Sequence, residues 1–147
     1  MSTALKMFRT ADPVISKDLV VDRDAWLAKC DQAQTFRLFE VPEPGVEDCT
    51  VLYRAELKTE ALTGRAYLEM WCRLPGRGEF FSKGLNQTVT GSHDWVSCAI
   101  PFFLKKGERP DLIRLNLVVQ PVGWLFKKAV SGTVWIRDVE LVHQAAR

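Results

Sequence analysis

Apolar and polar residues alternate with a period of two through most of the chain. In "CTVLYRAELKTE", Val51, Tyr53, Ala55 and Leu57 fall on one side and Leu52, Arg54, Glu56 and Lys58 on the other, the pattern of a strand with one buried face. "GRAYLEMWCRLP" repeats it, with Ala66, Leu68, Met70 and Cys72 inward and Tyr67, Glu69, Trp71 and Arg73 outward; Gly64 and Pro75-Gly76 punctuate its ends. "LIRLNLVV" sets Ile113, Leu115, Leu117 and Val119 against Leu112, Arg114, Asn116 and Val118. "GTVWIRDVELV" supplies a final strand, and "PVISKDLVV", "TFRLFEV", "GEFFSKG" and "WVSCAIPF" supply shorter ones. Between them lie "PEPGVED", "PGRGE", "TGSHD" and "KKGERPD", all rich in turn formers. A single stretch, "DRDAWLAKCDQ", predicts a short helical turn capped by Asp22 or Asp24. Many short strands separated by turns predict an all-β fold, an antiparallel sandwich or barrel. No repeat or low-complexity tract divides residues 1–147, which read as one domain with about 1–12 as a loosely held arm.

A chain of 147 residues, 47% hydrophobic and 26% charged, suits one globular domain. Its 20 basic and 18 acidic residues are scattered, giving a net charge of +2. No basic tract exists to neutralise a run of phosphates, so nucleic acid is not an expected partner. "MSTALKMFRTADP" lacks the apolar core of a signal peptide, and no apolar run is long enough to span a bilayer. As given, the chain reads as cytoplasmic, with export left open; the sequon at Asn86 matters only in a secreted eukaryotic protein. Cys30, Cys49, Cys72 and Cys98 are far apart and form no C-x-x-C pair, which argues for reduced core thiols over a zinc or redox motif. A disulfide would require export.

The order of features from Tyr53 to Leu141 resembles the galactose-binding-like jelly roll shared by many carbohydrate-binding modules. The stretches that carry the resemblance are "YRAELKTEALTGRAYLEMW", "GSHDWVSCAIPF" with Trp95 just before a strand, "RLNLVV", and above all "GTVWIRDVEL". The last matches the family's closing run of small, aromatic and hydrophobic residues followed by an acidic one: Gly132, Val134, Trp135, Ile136, Asp138, Val139 and Leu141. The resemblance implies a β-sandwich with jelly-roll topology that binds carbohydrate or a small polar ligand without catalysis. Two features depart from the pattern. Arg137 stands where a second acidic residue often sits, which argues against a structural calcium near Asp138 because hard cations want several oxygens; no other cofactor is expected. The family also turns tightly before its last strand, whereas this chain has "PVGWLFKKAVS" there.

The residues themselves offer little for catalysis. His93 and His143 are the only imidazoles, and His93-Asp94 reads as turn polarity with no nucleophile spaced beside it. Glu56 and Glu69 are a candidate glycosidase carboxylate pair, equally read as ion partners of Arg54, Arg73 and Lys58. If the strands around Tyr53 and Tyr67 pair with that around Leu115, then Trp71, Tyr67, Glu69, Arg54, Glu56, Arg114 and Asn116 share one sheet surface. Such a surface suits a sugar, whose flat apolar side lies on an indole while amides and charges hydrogen-bond its hydroxyls. Trp71 is the platform in this reading, unless "GEFFSKG" covers it; of the consecutive Phe80 and Phe81, one faces the same way. Trp26, Trp95 and Trp135 are assigned to packing. Trp124, Leu125, Phe126, Lys127 and Lys128 form a second candidate element. They have three readings: folded over a sheet edge with the lysines outward, a patch for a protein partner, self-association or a membrane surface, or a wall of a ligand cleft.

Overall fold

The computed structural model describes residues 2–122 and 130–145. These form nine strands and no helix: β1 (Ser2–Met7), β2 (Leu19–Asp22), β3 (Ala25–Cys30), β4 (Gln34–Pro42), β5 (Cys49–Leu74), β6 (Gly78–Lys83), β7 (Val89–Leu104), β8 (Leu112–Gln120) and β9 (Ser131–Ala145). Every pairing is antiparallel.

The architecture follows from β5, a 26-residue strand that the sequence pattern reads as two. Its positions in the central core are odd from Val51 to Leu57 and even from Ala66 to Leu74, so the strand must change parity between them. It does so at Ala61–Gly64, where φ is 51° at Ala61 and 95° at Gly64 and the register slips against both neighbours. A bulge of this kind bends the strand and re-aims its side chains. The first half of β5 pairs with β7 and β9, and the second half with β6 and β8. The larger sheet therefore runs β2, β3, β9, β5 first half, β7, with β1 against the end of β9; the smaller runs β4, β8, β5 second half, β6. Folded on this corner, the two form an antiparallel β-sandwich with jelly-roll topology.

Gly132 stacks on the corner so closely that a Cβ there would lie 2.6 Å from the carbonyl oxygen of Ala61. Leu57, Ile136 and Leu141 of the larger sheet and Leu68, Met70, Leu115 and Leu117 of the smaller are all buried in one core, each stabilising by about 2 kcal/mol. The Tyr53 hydroxyl crosses the layers to donate to the Asn116 carbonyl at 3.1 Å.

Four local readings are corrected. "DRDAWLAKCDQ" is extended, not helical: Trp26 packs edge-on against Phe39 at 5.5 Å and β3 pairs with β9, so tertiary packing overrides the cap signal. "TGSHD" lies inside β7. Of "PVISKDLVV" only the last three residues, from Leu19, are strand, the start of β2, while the Ile15 and Ser16 amides bond to the carbonyls of Leu38 and Arg37 on the outer edge of β4. Within residues 1–12, read as an arm, Ser2–Met7 pairs with β9 and Phe8 is buried. All four cysteines are free and buried; burial pushes the Cys72 thiol up to about 12, and burial with Asp31 nearby pushes Cys30 up to about 11. Trp124, Leu125, Phe126, Lys127 and Lys128 lie outside the described residues.

Candidate functional site

The seven sheet residues singled out in the sequence do not share one surface. Because β5 changes layers at Ala61–Gly64, Tyr67, Glu69 and Trp71 face outward from the smaller sheet with Arg114 and Asn116, while Arg54 and Glu56 face outward from the larger sheet on the other side of the sandwich. Glu56 and Glu69 therefore cannot act as a carboxylate pair on one substrate. The hydrolase reading loses the only pair that supported it.

On the smaller sheet, register aligns Arg37, Asn116, Glu69 and Lys83 in one row and Glu40, Arg114, Trp71 and Phe81 in the next. Asn116 Nδ2 donates to Glu69 Oε1 at 2.9 Å, and Lys83 Nζ lies 3.8 Å from Glu69 Oε2. Arg114 bridges Glu40 at 3.1 Å and Glu79 at 2.8 Å. This face is largely closed: Tyr67 is 2% exposed, and Glu69 and Asn116 are 7%. The half-buried Trp71 leans on Phe81 at 5.2 Å. What a ligand meets here is the aromatic pair and the Arg114 bridge, with Tyr67, Glu69 and Asn116 forming a satisfied polar layer beneath.

The larger sheet is built differently. Register puts Lys58 beside Trp135, Glu56 beside Arg137 and Arg54 beside Glu140, with Ser97 of β7 on the other side of Glu56. Trp95 and Trp135 are half-buried on this outward face. The two-residue turn between β2 and β3, with Arg23 at φ 61°, carries Asp22 and Asp24 up to its rim. The Trp135 indole donates to Asp22 Oδ2 at 3.0 Å, and Lys58 Nζ sits 5.2 Å from its ring centroid. The Arg137 guanidinium lies 3.9 Å from the centre of the Trp95 ring, bonds Glu56 at 2.7 Å and reaches Asp24 at 3.9 Å. The Glu56 hydrogen bond is the main cause of a raised Arg137 pKa, and the charged, planar guanidinium lies over the indole.

These side chains enclose a hollow of about 290 Å³ bounded by Trp95, Trp135, Lys58, Arg137 and the Asp22–Ala25 turn. Beyond the Arg137–Glu56 pair lies a broader depression of about 550 Å³ lined by Arg54, Glu56, Ser97 and Glu140, where Arg54 and Glu140 pair at 2.7 Å. Trp95 and Trp135, assigned to packing from the sequence, are thus half-buried aromatics bordering a hollow on the outward face of the larger sheet. Alternation alone contained the signal: Trp95 has the parity of Ser97 and Trp135 that of Arg137, opposite to the buried Cys98 and Ile136.

No family model matches the sequence, and no curated protein matches it. Solved structures do. A CBM4 carbohydrate-binding module aligns with TM-score 0.58 and 11% identity over 89% of this chain and 78% of its own. A family 29 carbohydrate-binding module from Piromyces equi aligns with TM-score 0.54 and 9% identity over 99% and 92%. The CBM22-1 xylan-binding domain of Xyn10C from Paenibacillus barcinonensis aligns with TM-score 0.53 and 9% identity over 100% and 95%. The chain has the fold of these modules. At such identities the likeness extends to the sandwich and its topology, and the sites rest on this chain's own residues.

Two other candidates, His93 and Asp138, lack a catalytic or metal-binding partner among the described residues. His93 is exposed, its Nδ1 2.6 Å from the Asp94 carbonyl oxygen, with no serine or cysteine hydrogen-bonded to it. Asp138 lies 3.8 Å from Arg137 Nε, and among the described residues no three carboxylate, histidine or cysteine side chains converge on a point.

Proposed function

We propose that the chain is a non-catalytic carbohydrate-binding module whose ligand lies along the outward face of the larger sheet. The observation that carries this reading is the hollow between Trp95, Trp135 and the Asp22–Ala25 turn, continuing past Arg137–Glu56 into the Arg54 depression. Indoles give the C–H face of a pyranose an apolar wall, and carboxylates, guanidinium and amide groups around it match hydroxyls. The arginines of the sheet here are already paired, Arg137 with Glu56 and Arg54 with Glu140, and Lys58 lies over the Trp135 ring. Such a surface suits a neutral polysaccharide better than a polyanion, which would need free cations. The fold neighbours, carbohydrate-binding modules that include a xylan-binding domain, support the ligand class.

Native affinity electrophoresis through gels containing soluble xylan, β-glucan, mannan or galactan tests the proposal. Retardation by at least one neutral polymer, little changed by added salt, is expected. Free migration through all four contradicts it.

A further inference from the structure

The free edge of β6 differs from the edges of β4 and β7. On the outer edge of β4, the Leu38 and Arg37 carbonyls accept from the Ile15 and Ser16 amides. On β7, the Gln87 side chain takes both the N–H and the carbonyl of Ala99, at 2.8 and 3.0 Å. β6 pairs with β5 on one side only, and no described segment bonds to its other side. It exposes Phe80 at 43% and Phe81 at 55%, an unusual amount of aromatic surface for an unpaired strand. An apolar open edge is a template for another strand, and proteins that do not use one blunt it.

The strand's own sequence names its partner. Glu79, Phe81 and Lys83 project from the same face as Trp71. A twofold axis normal to the sheet keeps outward faces on the same side, so it passes through a residue and not between two. Centred on Phe81, an antiparallel pair sets Glu79 against Lys83 at both ends, Phe81 against itself, and Phe80 against Ser82. Centred on Phe80, it sets Lys83 against Arg77; centred on Ser82, it sets Lys83 against Phe81 and Glu79 against Leu85. Only the Phe81 register pairs opposite charges and stacks the aromatics. Glu79 and Lys83 already touch Arg114 and Glu69, yet their side chains remain 35% and 32% exposed and free to be shared.

We propose that β6 is a self-association edge, through which two copies of this chain pair antiparallel about Phe81. The two smaller sheets then run on as one, with Trp71 and Phe81 of each copy forming a continuous aromatic row. The hollows on the larger sheets stay open, so the dimer presents two ligand faces.

Sedimentation equilibrium on the full chain, with two kinds of variant, tests this. The unmodified chain forms a dimer. Lys83→Glu, which sets Glu79 against a new glutamate at both ends, weakens the dimer by about tenfold, and Glu79→Lys combined with Lys83→Glu restores it. Phe81→Cys joins the copies by a disulfide under mild oxidation, because residues facing across an antiparallel pair have Cα atoms about 4.5–5.5 Å apart, within disulfide reach. This second readout stands even if Lys83→Glu disturbs the fold near Glu69. A chain that stays monomeric at about 1 mM, a dimer indifferent to the charge changes, or a Phe81→Cys chain that fails to cross-link overturns the proposal.

Discussion

The two outward faces of this sandwich are made of the same materials and are shaped differently. Each carries a tryptophan, an arginine bridging two carboxylates and a row of polar side chains set out by strand alternation. On the smaller sheet Tyr67, Glu69 and Asn116 are nearly sealed, bonded to one another or to neighbours, and Trp71 leans on Phe81. On the larger sheet Trp95 and Trp135 border open hollows, and the Asp22–Ala25 turn rises beside them as a wall. The difference teaches that residue type alone does not leave a face open. A flanking turn beside paired charges leaves aromatic surface reachable on the larger sheet.

The strongest way to break the comparison is to remove the corner that separates the faces. In Gly132→Ala a Cβ meets the Ala61 carbonyl oxygen at 2.6 Å with φ at 128°, a conformation costly for alanine. A loss of about 3 kcal/mol in urea unfolding is expected, with both faces affected together. Asn116→Ala acts on one side alone. It leaves the buried Glu69 without its 2.9 Å donor, so stability falls by about 2 kcal/mol, while ligand binding on the larger sheet is unchanged.

The shared core gives a smaller, pH-dependent effect. Cys72 is fully buried and its thiol is pushed up to about 12. The folded state therefore holds a proton that the unfolded chain releases near its ordinary value of about 8.5. The sign follows: this contribution is fully present below that pH and is lost as pH rises toward 12, at about 1.4 kcal/mol per pH unit. Unfolding midpoints measured from pH 8 to 10.5 check it. In Cys72→Ala that part of the decline is expected to be absent.

Much of the fold was legible in alternation. The inward sets of β5 and β8 are those the pattern assigns, and even the parity change from Tyr53 to Leu68 is written in the order of residues. Its consequence was not legible. Nothing in "TEALTG" says that the bulge throws the second half of the strand into another sheet, because that depends on which distant strands claim each half. Arg54 and Glu56 were grouped with Trp71 for this reason, and they lie on the opposite face. Trp95 and Trp135 show the converse. Their place in fold-defining stretches suggested packing, although their parity already pointed them outward. Trp26 shows how little residue type decides, since the same side chain with inward parity is in the core at 2% exposure.

The most direct test of the account is a side-by-side titration of one soluble polysaccharide that retards the wild type into Trp95→Ala, Trp135→Ala and Trp71→Ala, each checked for folding by near-ultraviolet circular dichroism. The account predicts that Trp95→Ala and Trp135→Ala each weaken binding by about tenfold or more while Trp71→Ala binds as the wild type does. Loss of binding in Trp71→Ala alone would contradict it and move the site to the smaller sheet.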